Sequence, residues 1–527
     1  MRTKSKGVYN VIVVGAGTAG LVTAAGTAGL GGRVALIERH KMGGDCLNFG
    51  CVPSKALISS ARVFHTIRHA ADWGIRVPLP DADFSQIFER MRERRAIIAP
   101  HDSKERFESL GVDVFCGCAR FLSPWELEVG GVKLRARYFV VATGTRAAIP
   151  PIDGLDGVRF FTNETIFDEL REKPEHFLVI GGGPIGCELT QTFARFDSKV
   201  TLVQHGHRLL PREDPDVSVA LKERFQAEGV AVLTDAEVKR VQMRDAKILA
   251  TIQRSGTTSE TACDALLIAT GRNPSIDDLN LEAAGVRTNK RGIEVNAYLQ
   301  TSQRHIYAAG DVTGRYLFTH MADYQARIVV RNILMPLQVL RQKADYSVVP
   351  WCTYTDPEIA RVGMNEDDAK KAGVSYDVFE QPMSGVDRAV VENTESGSVK
   401  VLLRKGTDKI LGATIVAEHA GDLLQPIVLA MRSRLGLSEV ATAIHPYPTL
   451  IEAVRKTGDA YSKTRLTPFA KKLFAWLYRR QLGGVSNEFR NVDESKPGQG
   501  AGIEFRASAE DESALDHRGG SPGKRNV

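Results

Sequence analysis

Nowhere in the 527 residues does an apolar run approach the roughly 18 positions that a membrane-spanning helix needs, so no span is expected. A secretory leader is not expected either. Met1–Lys6 is basic, but the apolar run behind it is only Val11-Ile12-Val13-Val14 and glycines follow, too short for a signal-peptide core. Cysteines are few: seven, an odd number without disulfide-framework spacing. The expected location is therefore cytoplasmic, where reductants disfavour structural disulfides and leave catalytic ones possible. Charge of one sign does not dominate, with Lys+Arg 69 against Asp+Glu 63, and a mild excess without a concentrated basic face argues against nucleic acid as a partner. No cysteine follows Cys352, and no acid lies between Thr467 and Leu482.

What is present centres on Gly43-Gly44-Asp45-Cys46-Leu47-Asn48-Phe49-Gly50-Cys51-Val52-Pro53-Ser54-Lys55. A crosslink closing so small a ring restricts the unfolded chain little and is readily opened, so the spacing of Cys46 and Cys51 suits thiol–disulfide exchange rather than stapling. Two reduced core cysteines are the plain alternative. Pro53 and the helical pattern from Ser54 to Thr66 put Cys51 near a helix N-terminus, where the dipole and Lys55 both favour a thiolate.

This stretch follows a strand, glycine turn, helix and strand over residues 8–38. Gly15, Gly17 and Gly20 form GxGxxG after Val11–Val14, and Glu38 closes the second strand. In that context the motif is a dinucleotide-binding unit: the turn admits a pyrophosphate at the helix N-terminus and the acid accepts ribose hydroxyls. The pattern recurs with Gly181, Gly183 and Gly186 after Phe177–Ile180, and each unit is closed by an Ala-Thr-Gly strand, one ending at Thr143-Gly144 and the other at Thr270-Gly271. This reads as an internal duplication binding two dinucleotides. Where Glu38 ends the first unit, Gln204 ends the second, with His205, His207 and Arg208 behind it. A neutral amide with basic neighbours tolerates a 2′-phosphate, which favours NADPH over NADH. A third strand ends at Gly310-Asp311, placing Asp311 to bond a cofactor hydroxyl. Cys116 and Cys118 are expected on one face of a strand, as packing residues rather than metal ligands.

After residue 346 the pattern changes to alternating apolar strands, Val399–Leu403 and Ile410–Val416, and helical segments Leu423–Arg434 and Leu450–Lys456. This is an α+β module on a chain that is otherwise α/β with two Rossmann-like units. Residues 467–482 carry Phe469, Leu473, Trp476 and Leu477 on roughly one helical face together with Lys471, Lys472, Arg479 and Arg480. Such a helix can lie on an anionic membrane surface or pack on protein. Residues 486–527 are polar and rich in Gly and Ser, a composition of disorder.

In order and type these motifs resemble the class I pyridine nucleotide-disulfide oxidoreductases, which include lipoamide dehydrogenase, glutathione reductase and mercuric reductase. The resemblance covers residues 8–465. It implies an FAD-binding domain in two parts (1–150 and 275–345), an NAD(P)-binding domain (151–274), a dimerisation domain (346–466), a basic amphipathic helix (467–485) and a disordered tail (486–527). It further implies a homodimer whose active site is completed across subunits. By the same resemblance Cys51 is the sulfur beside the flavin, in charge-transfer contact with it, and Cys46 meets the substrate. Lys55 and Glu188 form a charge pair near flavin N5.

The chain departs from the resemblance at Ile444-His445-Pro446-Tyr447-Pro448-Thr449-Leu450-Ile451-Glu452. Lipoamide dehydrogenase and glutathione reductase carry a histidine base five positions before a glutamate. Counting back from Glu452 puts Tyr447 there, not His445. A tyrosine near its ordinary pKa of about 10 is a poor base at neutral pH. The register moves the expectation toward mercuric reductase-like chemistry, although the vicinal C-terminal cysteines of those enzymes are missing. The expected enzyme passes electrons from NADPH (NAD is possible) through FAD and Cys46–Cys51 to a small-molecule disulfide, metal-ion or quinone acceptor, with Hg(II) a candidate. The alternatives are a dihydrolipoamide dehydrogenase-like disulfide reductase and a membrane-surface quinone reductase.

Overall fold

The computed structural model describes residues 8–78, 81–335 and 337–490. Two compact units divide at Lys463 and Thr464. In the first, buried β-branched runs form the central strand of a seven-stranded sheet: Tyr9–Val14 lies between Val34–Glu38 and Val132–Val141, all parallel. Asp113–Cys116 extends one side and Ile306–Ala308 pairs with the far end of Val132–Val141. Because both neighbours run parallel to it, the central strand delivers the Gly15 turn to the sheet's carboxyl edge, where open α/β sheets bind ligands.

A second parallel sheet orders Ala231–Leu233, Lys199–Val203, His176–Ile180 and Ala265–Ile268. The duplication is visible in backbone detail. A Cβ on Gly15 would lie 2.4 Å from the Ala142 carbonyl oxygen, and one on Gly181 would lie 2.3 Å from that of Ala269. Both glycines also need positive φ, +102° and +114°, so each turn closes against the Ala-Thr-Gly strand of its own unit.

The Cys51–Arg68 helix packs between the Phe84–Ile98 and Pro184–Arg195 helices through a buried aromatic cluster of Phe64, Phe84, Phe88, Phe193 and Phe196. Each fully buried phenylalanine contributes about 1.5–3 kcal/mol. Together they fix the register that brings Lys55 to Glu188.

Residues 350–417 form a five-stranded antiparallel sheet. Lys400, from its fourth strand, is buried among Asp214, Asp216 and Glu366 and ties this module to the second nucleotide unit.

Two local expectations are corrected. Cys116 ends a strand, but Cys118 lies beyond it, after Gly117 at φ +146°; the glycine breaks the alternation and both thiols are exposed. The C-terminal helix, Pro468–Arg490, runs past Leu482 and through Gly483-Gly484, so 486–490 is helical rather than disordered. The remainder of the expected tail, 491–527, lies outside the described residues. No helix among the described residues is long and apolar enough to cross a membrane.

Candidate active site

The redox segment is built on the first glycine turn. Gly44, at φ +58°, stands so close to Gly17 that a Cβ on it would lie 2.5 Å from the Gly17 Cα. Cys46 therefore rides on a short helix, Gly44–Asn48, docked directly against the dinucleotide turn. Asp45 anchors that helix by accepting from Arg272 at 2.8 Å and from Asn163 at 3.1 Å. The next helix begins at Cys51 itself.

The two thiols share a hydrogen bond, and their environments drive them apart. That bond is the main influence holding the Cys51 thiol down at about 6; burial opposes it, and Thr319 and Lys55 add to the lowering. The Thr319 Oγ1 lies 3.5 Å from the sulfur. The helix N-terminus adds its dipole. Cys46 moves the other way, far above the ordinary thiol range, first through its interaction with the Cys51 sulfur and then because it is partly buried. Of the pair, Cys51 is thus the more acidic thiol and Cys46 the less acidic one.

One turn along, Lys55 Nζ donates to Glu188 Oε2 at 2.7 Å, and Glu188 Oε1 accepts from the Tyr354 N–H at 2.9 Å. Glu188 is buried. The Lys55 ammonium also lies over the Tyr354 ring, 4.5 Å from its centroid. The carboxylate is thus saturated and the lysine held in one place. The adjacent Cys187 is a packing residue: it is fully buried, donates to the Gly182 carbonyl oxygen, and its pKa is pushed up by burial.

The residues present fit a dinucleotide at the first turn. Gly17 and Gly183 start their helices without a side-chain cap, leaving N–H groups for phosphate oxygens. An open cleft runs from Gly15 past Glu38, Arg39 and Cys118 to Thr143 and Asp278. Within it Thr143 Oγ1 is buried with no hydrogen-bond partner. Glu38 accepts from the Ala16 and His40 N–H groups, both at 2.7 Å. Asp311 is partly buried beside Thr145, its carboxyl pushed up to about 6 by desolvation against the opposing pull of Arg272. Such a carboxyl is short of a donor. Gly310, the residue before it, donates to Gln325 at 2.7 Å. In the second unit Gln204 stands where Glu38 does and accepts from the Gly182 N–H at 2.8 Å. Gly20 and Gly186 lie in the first turns of the two helices, and Gly144 and Gly271 follow the closing strands at positive φ, so all four stay at the glycine turns. Arg208 does not: it turns away to Asp367 at 2.8 Å and to the Pro211 carbonyl. That leaves exposed His205 and His207 as the basic neighbours of Gln204.

The 443–452 segment joins none of these contacts within the chain. Tyr447 is exposed and its hydroxyl donates to Asp387 at 2.7 Å, which raises the phenol above its ordinary pKa. His445 donates to the Ala443 carbonyl at 2.8 Å. Glu452 holds Arg455 and Lys456 through one oxygen, while its other is buried without a partner. Sequence reasoning missed Thr319 and Tyr354. Both lie far along the chain from the residues they touch, and no local motif marks either. No group of three or more metal-ligating side chains occurs among the described residues.

Comparison with known proteins agrees with this geometry. Residues 9–326 match the pyridine nucleotide-disulphide oxidoreductase family, and residues 349–457 match the dimerisation domain of that family. The chain is 33% identical to the mercuric reductase of Staphylococcus aureus over 458 residues, covering 87% of this chain and 83% of that protein. It is 32% identical to the dihydrolipoyl dehydrogenase of Bacillus subtilis over 472 residues, covering 86% and 98%. Among solved structures, the HOCl-induced flavoprotein disulfide reductase RclA from Escherichia coli superposes with a TM-score of 0.76 at 29% identity, over 85% of this chain and 99% of that one. A Cu(II) complex of the same protein gives 0.77 at 28%, over 86% and 99%. The chain belongs to the pyridine nucleotide-disulphide oxidoreductase family and is an enzyme using FAD and a nicotinamide nucleotide.

Proposed function

We propose that this enzyme is a homodimer that takes electrons from NADPH and delivers them through the Cys46–Cys51 dithiol to a soft metal ion, with Hg(II) as the reference acceptor. The observation that carries this reading is Tyr447 in the register of the family's base: it donates to Asp387 at 2.7 Å and is no base for taking the Cys46 proton at neutral pH. A disulfide acceptor needs Cys46 as a free thiolate nucleophile and a proton for the departing thiol, both handled by a base. A soft cation displaces the thiol proton by binding the sulfur itself, so it needs no such base.

Bound FAD supplies the two-electron link between nicotinamide and dithiol. The chain's own residues do the rest. Gly15, Gly17, Gly20, Glu38, Thr143 and Asp311 bind the flavin nucleotide. Gly181, Gly183, Gly186 and Gln204 bind the nicotinamide nucleotide, and His205 and His207 favour its 2′-phosphate. Lys55, kept in place by Glu188, sets positive charge beside the Cys51 thiolate. Cys46 presents its sulfur to the acceptor. The 443–452 segment of one subunit faces the dithiol of the other, which accounts for the exposure of Tyr447 and the unpaired oxygen of Glu452. The net reaction balances as NADPH plus Hg(II) giving NADP⁺, a proton and Hg(0). The similarity to mercuric reductases and to the Cu(II) complex of RclA supports a metal-ion acceptor.

The test is an anaerobic panel: purified holoenzyme with NADPH or NADH against Hg(II) in excess thiol, lipoamide, oxidised glutathione and a quinone. Turnover of Hg(II) well above the other acceptors is expected, with NADPH preferred. Lipoamide turnover equal to or faster than Hg(II) refutes the metal reading, and equal use of both nicotinamides refutes the Gln204 argument.

A further inference from the structure

We infer that residues 468–482 of the C-terminal helix are a docking surface for an anionic lipid bilayer, on which the enzyme lies without crossing it. At 3.6 residues per turn, Trp476, Phe469, Leu473, Leu477 and Phe474 fall within an arc of about 160°. All five are exposed, Phe469 at 76% and Trp476 at 53%. A helix carrying this much uncovered apolar surface calls for an apolar phase against it. Lys472 and Arg479 flank one side of the arc and Lys471 the other. Arg480 projects within it, its guanidinium 5.5 Å from the Trp476 ring centroid, an arrangement in which the stem covers apolar surface and the charge reaches out to a headgroup.

Charge complementarity selects the occupant. From Thr467 to Leu482 there are four cations and no carboxylate, whereas a helix packing on an ordinary protein surface of mixed sign is expected to carry charges of both signs. An anionic headgroup layer supplies negative charge at both flanks and hydrocarbon beneath, and aromatic side chains prefer that boundary. The helix is not apolar enough to span the bilayer, so it lies in the interface.

The experiment uses full-length holoenzyme in co-sedimentation with phosphatidylcholine vesicles containing or lacking phosphatidylserine. Binding is expected only to the anionic vesicles and weakens with salt. Each basic residue near such a surface adds about fivefold in partitioning, so replacing Lys471, Lys472, Arg479 and Arg480 together by glutamine is expected to cost about 10²–10³-fold. Leu473→Asp abolishes binding through the apolar face. Both variants keep wild-type NADPH-driven turnover with a soluble acceptor, which separates loss of docking from loss of fold. The inference is overturned if the wild type ignores anionic vesicles, if it binds neutral vesicles equally, or if the four-glutamine variant binds undiminished. It is also overturned if Leu473→Asp changes only the assembly state, which would assign the face to a second copy of the chain.

Discussion

Lys55 and Glu188 form one ion pair, yet they act on Cys51 with opposite sign, and that opposition can be measured. The ammonium helps lower the thiol and the carboxylate raises it, around a value of about 6. A neighbouring full charge moves a pKa by about one to three units. The Lys55 side chain is 34% exposed and is bonded to its counter-ion at 2.7 Å, so the low end applies, about one unit each way. Lys55→Met should therefore move the Cys51 midpoint to about 7, and Glu188→Gln should move it to about 5. Thiolate is the reactive form above the midpoint. One unit below the wild-type midpoint, the reduced Lys55→Met enzyme should alkylate with iodoacetamide about tenfold more slowly and Glu188→Gln about fivefold faster. Stability should split unevenly. Removing Lys55 leaves a carboxylate at 6% exposure with only the Tyr354 N–H, at about 1–2 kcal/mol after allowance for solvent at the lysine, whereas removing the Glu188 charge frees a lysine that can hydrate. Shifts of the same sign in both variants, or an unmoved midpoint in either, would refute the electrostatic account of Cys51.

Thr319→Val removes the hydroxyl 3.5 Å from the Cys51 sulfur and should raise the midpoint by about half a unit to one unit, while Thr319→Ser should restore it; the same alkylation profile reads both. Asp311→Asn removes a partly buried carboxyl proposed to bond a cofactor hydroxyl and should weaken FAD retention by about 10- to 100-fold, measured as flavin absorbance remaining with the protein after gel filtration. Tyr447→His puts a base of near-neutral pKa in the segment proposed to face the partner subunit's dithiol and should raise lipoamide turnover at least about tenfold, well short of the ~10²–10⁴ of an optimised base, with Tyr447→Phe giving no gain.

Much of the site could be read from the sequence because its chemistry is local. The glycine turns, Glu38 and Gln204 sit at fixed offsets from strands whose apolar runs identify themselves, and Cys46, Cys51 and Lys55 lie within a span of ten residues. What could not be read depends on contacts made by topology. Thr319 meets Cys51 only because Ile306–Ala308 joins the first sheet and delivers the following helix to its carboxyl edge. Tyr354 reaches Glu188 from a module that begins after residue 346. Arg208 looks from its neighbours like a phosphate ligand, but Asp367, 159 positions away, captures it. Gly117 was the opposite failure: alternation suggested one strand, and a single positive φ broke it.

These long-range contacts bear on function through where the proton sits. Thr319 and Lys55 stabilise charge on Cys51, which leaves Cys46 as the protonated partner in the shared hydrogen bond. The better Cys51 is poised, the more firmly Cys46 keeps its proton, since a second negative charge beside the first is disfavoured. A base at position 447 would relieve that, but Tyr447 spends its hydroxyl proton on Asp387 and is moved further from accepting another. Under the proposed function, the burden of deprotonating Cys46 passes from the protein to the acceptor. Acceptors able to carry it are those whose affinity for sulfur exceeds that of a proton, which is a property of soft cations and not of a disulfide bond.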